Sequence, residues 1–109
     1  MKNRLGQVYE VRARILKAMA HPARLFIIDK LKQKEYCVCE LTELVGSDVS
    51  TVSKHLSVMK NAGILTTRKE KNTVYYGITC DCVTRYLDCV DGVIKNNAVF
   101  HSNVLKNVK

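Results

Sequence analysis

Residues 47–63, SDVSTVSKHLSVMKNAG, read as one helix with a marked start and stop. Asp48 is a short acceptor placed to bond the first free amides of a helix. Val49, Val52, Leu56 and Met59 recur at helical spacing and make one apolar face. Gly63 stands where a left-handed C-terminal cap is expected. The opposite face carries Ser50, Thr51, Ser53, Lys54, His55, Ser57 and Lys60, with no acid after Asp48. Short hydrogen-bonding groups mixed with cations suit a DNA major groove, where donors and acceptors read base edges and cations meet phosphates. A solvated amphipathic helix is the competing reading of this stretch alone.

The flanking sequence decides between them. Upstream, residues 40–45 form a short helix with Leu41, Leu44 and Val45 inward, and Gly46-Ser47 makes a turn. Helix, Gly-containing turn and polar-faced helix together give a helix-turn-helix pattern. Downstream, Ile64 to Glu70 is extended, Lys71-Asn72 suits a hairpin tip, and Thr73 to Ile78 is β-branched and aromatic. Arg68, Lys69 and Lys71 are expected to project to phosphates, as the wing of a winged helix does; a solvated hairpin is the alternative. The expected fold is mainly α with a β-hairpin wing. The expected layout is one winged helix-turn-helix domain over residues 1–109, with the helix-turn-helix at about 40–62 and the wing at about 64–79.

Further out, Val8, Val11, Ile15 and Met19 mark an amphipathic helix over 7–19, with Arg12, Arg14 and Lys17 outside. Pro22 can open the next helix, since the first helical position needs no N–H. Leu25, Phe26, Ile27, Ile28 and Leu31 make that helix, about 22–33, apolar over much of its circumference. At the other end, residues 81–95 carry two adjacent stripes: Val83, Leu87, Val90 and Ile94, then Cys82, Tyr86, Cys89 and Val93. So wide an apolar arc on a terminal helix points to a homodimer interface, or else to deeper burial within one chain. In the tail, 96–109, Phe100, Val104 and Val108 keep helical spacing; it extends the helix, packs on the partner, or frays.

The chain has 18 Lys+Arg against 10 Asp+Glu, a net charge of +8. A small basic domain points to nucleic acid or an anionic surface. No apolar run approaches the roughly 18 residues a membrane span needs, and the N-terminus lacks a signal-peptide core. A cytoplasmic location is therefore expected. There, the five cysteines read as thiols, ligands or sensors rather than structural disulfides. No Gly-rich phosphate loop or His-Glu-x-x-His arrangement occurs, so no enzyme is expected.

Three stretches resemble the ArsR/SmtB family of metal-responsive winged-helix repressors. Ala18-Met19-Ala20-His21-Pro22-Ala23-Arg24-Leu25 is similar to its signature before the second helix. Ser53-Lys54-His55-Leu56 through Asn61-Ala62-Gly63-Ile64-Leu65 is similar to its recognition helix and exit into the wing. Tyr36-Cys37-Val38-Cys39-Glu40-Leu41 resembles the cysteine motif of its arsenite- and cadmium/lead-responsive members. The resemblance implies a homodimer on a palindromic operator of double-stranded DNA, released when an effector binds. The chain departs from the pattern at Thr42, where one arsenite branch has a third cysteine, and in residues 1–36, which contain none. Cys80-Asp81-Cys82 lies where the zinc branch begins its His and acidic ligand set, and His101 is a poor substitute for the missing histidines.

Cys37 and Cys39 sit at an irregular-to-helix junction, where amide dipoles favour a thiolate. Soft thiolates match As(III) or Sb(III), or alternatively Cd, Pb or Zn. A third ligand could be Cys89, a small cytosolic thiol or a retained oxygen. Cys80 and Cys82 form a second candidate site. The bland alternative is small buried hydrophobes for Cys37 and Cys39, and core or interface thiols for Cys80, Cys82 and Cys89. His21 reads as structural and His55 as DNA-facing, rather than as metal ligands. Two rival functions stand beside the metal sensor: a redox or reactive-sulfur sensor of the same fold, and a basic RNA- or protein-binding winged helix with structural zinc.

Overall fold

The computed structural model describes residues 3–97; Phe100, His101, Val104 and Val108 lie outside them. The order is α1 (Arg4–Met19), α2 (Pro22–Gln33), β1 (Tyr36–Cys37), α3 (Val38–Val45), α4 (Val49–Asn61), β2 (Leu65–Glu70), β3 (Thr73–Ile78) and α5 (Asp81–Lys95). The chain divides into two compact units, one up to Thr79 and one from Cys80 onward.

In the first unit, local chemistry sets most boundaries. Asn3 caps α1 by accepting from the Gly6 amide, and Pro22 opens α2 behind the His21 cap. Gly46 ends α3 at φ 79°, a left-handed position that favours glycine. Asp48 caps α4 through the Thr51 amide at 2.7 Å. Gly63, at φ 85°, closes α4; its amide bonds the Lys60 carbonyl and the Ile64 amide reaches the Met59 carbonyl. This pair of bonds satisfies carbonyls the helix end would leave free.

The core of this unit is formed by Ile27, Ile28, Leu41, Val52, Leu56 and Met59, all fully buried. Each such side chain contributes roughly 1.5–3 kcal/mol relative to exposure. The inner face of α4 differs from the expected one: His55 joins Val52, Leu56 and Met59, while Val49 is 52% exposed. Val49 is the first residue of α4, directly after the Asp48 cap. Likewise Leu25 and Phe26 of α2 are partly exposed, and Lys30 lies over the Phe26 ring. On α1, only Gly6, Ala18 and Met19 are buried; Leu5, Val8, Val11 and Ile15 are exposed.

The sheet has three antiparallel strands in the order β1-β3-β2. The hairpin turns at Lys71-Asn72, and Lys71 takes φ 56°. Strand β1, absent from the sequence expectation, pairs Tyr36 with Tyr76 and Cys37 with Tyr75. It joins the hairpin directly to the start of α3.

The second unit is α5. Its N-cap is Cys80, whose sulfur accepts from the Cys82 amide at 3.2 Å; Thr79, just before it, donates its amide to the Ile64 carbonyl. None of its residues is buried, and Tyr86, Val90 and Val93 are exposed.

Candidate functional site

The outer face of α4 carries Ser50, Thr51, Lys54 and Lys60 exposed to solvent, with Ser53 half-buried. Ser50 donates its hydroxyl to Asp48 at 3.1 Å, so it also braces the cap. The Thr51 hydroxyl and amide, with Ser50, hold the Asp48 carboxyl below its ordinary range. That keeps it charged beside the positive end of the helix.

His55 does not belong to this face, which corrects the expectation that it reads base edges. It is 9% exposed, and its Nδ1 accepts from Arg24 Nε at 3.0 Å. The His21 ring stacks at a tilt, 4.5 Å between centroids, and His21 Nδ1 accepts from the Ala23 amide to cap α2. Arg24 further donates to the Ala18 carbonyl at 3.4 Å. These three side chains lock the end of α1 and the start of α2 against α4. Burial, then the charges of His21, Arg24 and Lys54, hold His55 below its usual basicity.

On the wing, Lys69 and Lys71 are exposed. Arg68 is exposed as well, and it has partners of its own. It pairs with Glu35 at 2.9 Å and Glu70 at 3.6 Å and lies over the Tyr75 ring at 4.9 Å. Hydrogen bonding to Glu35 strengthens its hold on its proton. It thus ties β2 to the segment just before β1.

Cys37 is half-buried at the N-cap of α3, and Cys39 is exposed in the first turn. The Glu40 carboxylate accepts from the Cys37 amide at 3.0 Å, one half of a capping box with Cys37. That amide first, then the Cys37 thiol, and finally Lys34, hold Glu40 below its ordinary range. The Cys37-x-x-Glu40 spacing carried this signal in the sequence; sulfur in place of a hydroxyl obscured it. Cys37 and Cys39 therefore supply two soft donors within one turn, which suits a thiophilic ion. Among the described residues, no three His, Cys, Asp or Glu side chains converge as a complete metal site. Cys80 and Cys82 are joined as a disulfide, and Cys89 is a free, exposed thiol on α5. A bonded pair cannot ligate a metal until it is reduced.

The sequence profile described as bacterial regulatory protein, arsR family, matches residues 21–67. The chain is similar to nodulation protein NolR of Rhizobium meliloti, 36% identical over 84 residues spanning 77% of this chain and 69% of that one. It is similar to a cadmium resistance transcriptional regulatory protein CadC homolog of Staphylococcus aureus, 34% identical over 77 residues, 70% of this chain and 64% of that one. Among solved structures, it resembles the homodimeric winged helix-turn-helix DNA-binding domain of a possible ArsR-family regulator from Mycobacterium bovis. There the TM-score is 0.78 at 30% identity, covering 93% of each chain.

Proposed function

Because this chain belongs to the ArsR family of bacterial regulatory proteins, we propose that it represses as a homodimer and leaves its operator when a thiophilic metal(loid) binds Cys37 and Cys39. Members of the family are DNA-binding transcriptional regulators, not enzymes. In this reading Ser50, Thr51, Ser53 and Lys54 approach base edges, and Lys60, Lys69 and Lys71 meet phosphates. The site of action is the cytoplasm, and no described helix is long and apolar enough to cross a membrane. The exposed apolar residues of α1 and α5 support a second copy as their cover.

One observation carries the sensing half: Cys37 belongs to β1, pairs with Tyr75 of β3, and caps α3. A constraint at that junction reaches both the wing and the helix that precedes α4. An arsenite-type ion would take the thiolates of Cys37 and Cys39, and supplies bonds linking the N-cap to the first turn. Two recognition helices of a dimer must meet groove segments about one turn (~34 Å) apart, so a small change of tilt is costly. Linkage of this kind typically amounts to ~1–3 kcal/mol.

The test is operator release on titration with arsenite, antimonite, Cd, Pb or Zn. Ser is nearly isosteric with Cys and a poor soft-ion ligand. Cys37→Ser/Cys39→Ser should bind operator as wild type does and stay bound when the effector is added. Release at wild-type concentrations would move the site to Cys89 and to Cys80 and Cys82 in their reduced form. Release should also weaken as pH falls, because each thiol must lose its proton to bind.

A redox reading is favoured by the Cys80–Cys82 pairing at the start of α5. Closing that bond passes two electrons and two protons to an oxidant such as a peroxide, which is reduced to water or an alcohol. Reversal of release by a dithiol reductant in the Cys37→Ser/Cys39→Ser background would select this reading.

A further inference from the structure

Between α1 and the last turns of α4 lies a cleft of about 440 Å³. It is lined by the polar side chains of Arg14, Lys17, Arg24 and Asn61 and by the apolar residues Ala18, Val58 and Ala62. No acid lines it. Among the described residues both ion pairs belong to Arg68, so the three cations have no carboxylate partner. Arg24 spends its donors on neutral acceptors only, His55 Nδ1 and the Ala18 carbonyl. Three like charges around one concavity repel one another, and a bound anion relieves that repulsion. The volume falls within the range of small-molecule sites, about 300–1,000 Å³, which combine apolar walls with a few placed polar groups.

We propose that this cleft is an effector site for a small organic anion, with one acidic head group on the cations and an apolar body against Ala18, Val58 and Ala62. The chemistry of the head is shared by DNA phosphate, but the apolar residues have no use for a sugar-phosphate backbone. Asn61 also stands ten residues beyond Thr51, roughly 15 Å along the helix, away from the residues assigned to base edges though next to Lys60, so the salt slope of operator binding is what separates the two occupants. An occupant touches α1, α2 and the end of α4 at once. It therefore favours one angle between the recognition helix and the helices behind it, and Arg24 links the cleft to His55 in the middle of α4. The site is independent of the cysteines; its regulatory consequence rests on the DNA-binding reading above.

Anilinonaphthalene sulfonate is a suitable probe, with one anionic head on an apolar body. It is titrated into the full chain without DNA, followed by fluorescence and by amide chemical shifts. The expected result is saturable binding with shifts centred on Ala18, Val58, Asn61 and Ala62. Arg14→Ala/Lys17→Ala should weaken this binding at least tenfold, while operator affinity stays within twofold and its salt dependence is unchanged. Both side chains are exposed, so the fold tolerates the change. Shifts centred elsewhere, or unweakened binding by the variant, overturn the site. Loss of operator affinity with a shallower salt slope assigns these cations to DNA phosphate and also overturns it. Probe bound in the cleft without any change in operator affinity overturns the effector role. Wild-type protein that binds the probe but no operator sinks the DNA reading instead, leaving the anion site standing.

Discussion

Two side chains carry meanings that their neighbours impose. His55 is an acceptor for Arg24, so it must stay neutral to keep that bond. Its folded basicity lies below the ordinary value because of burial and nearby cations. Well above about pH 6.5 the ring is neutral in both folded and unfolded chains, and no linkage arises. As pH falls below that, the unfolded chain takes up a proton that folded His55 resists. Stability then falls, and the decline levels off only when folded His55 also protonates. Urea midpoints between about pH 8 and pH 5 should show this decline. His55→Gln keeps an acceptor without a titrating ring, and should flatten it. Cys37 is the second case: its amide is bound by Glu40, so Glu40→Ala should loosen the start of α3. Faster amide exchange at Cys37 would report it, with operator binding reduced rather than abolished.

At the scale of elements, α4 serves two masters, a buried face of Val52, His55, Leu56 and Met59 and a polar face turned outward. The two faces should fail differently. Leu56→Ala removes a fully buried side chain and should cost about 2–5 kcal/mol in chemical denaturation. Lys60→Ala should leave stability alone, weaken every DNA sequence alike, and lower the salt slope by about one. Thr51→Ala, by contrast, should alter preference among operator sequences at constant salt slope. If Lys60→Ala and Lys69→Ala both leave the slope untouched, these cations do not meet phosphates. The third strand changes the meaning of the wing. Through β1 the hairpin is stitched to α3, and Arg68 reinforces the stitch through Glu35. The wing is thus joined by backbone pairing to the strand that carries Cys37.

For the whole molecule, the notable quantity is apolar surface left open in one chain. Leu5, Val8, Val11 and Ile15 on α1, and Tyr86, Val90 and Val93 on α5, are all exposed. A chain of 109 residues has little core to spare, so association adds burial that one copy lacks. Val90→Asp should give monomers by light scattering. Operator affinity should fall by about tenfold or more, because two half-sites no longer share one effective concentration. A variant that remains dimeric would shift the interface to α1, where Val11→Asp is the matching test. The net charge of +8 acts at this scale too, drawing the dimer to DNA before any base is read.

What the sequence determined by itself was everything governed by neighbours within a turn or two. The extent of α4 follows from Asp48 and Gly63, the hairpin from its β-branched runs, and the helix-turn-helix from their order. Caps, left-handed glycines and hydrophobic period act over a few residues, so they are legible without a fold. The tertiary structure decided the rest. Val49 and His55 both fit the period of an inner face, and only packing against Arg24, 31 residues away, chose His55. Arg68 reads as a free wing cation until Glu35, 33 residues distant, claims it. A two-residue strand such as β1 has no local signal, because its stability comes from the Tyr75 and Tyr76 backbone it pairs with. The cationic cleft likewise exists only where α1, α2 and α4 meet. Bonds that span tens of residues are chosen by shape and burial, and these appear only when the chain is folded.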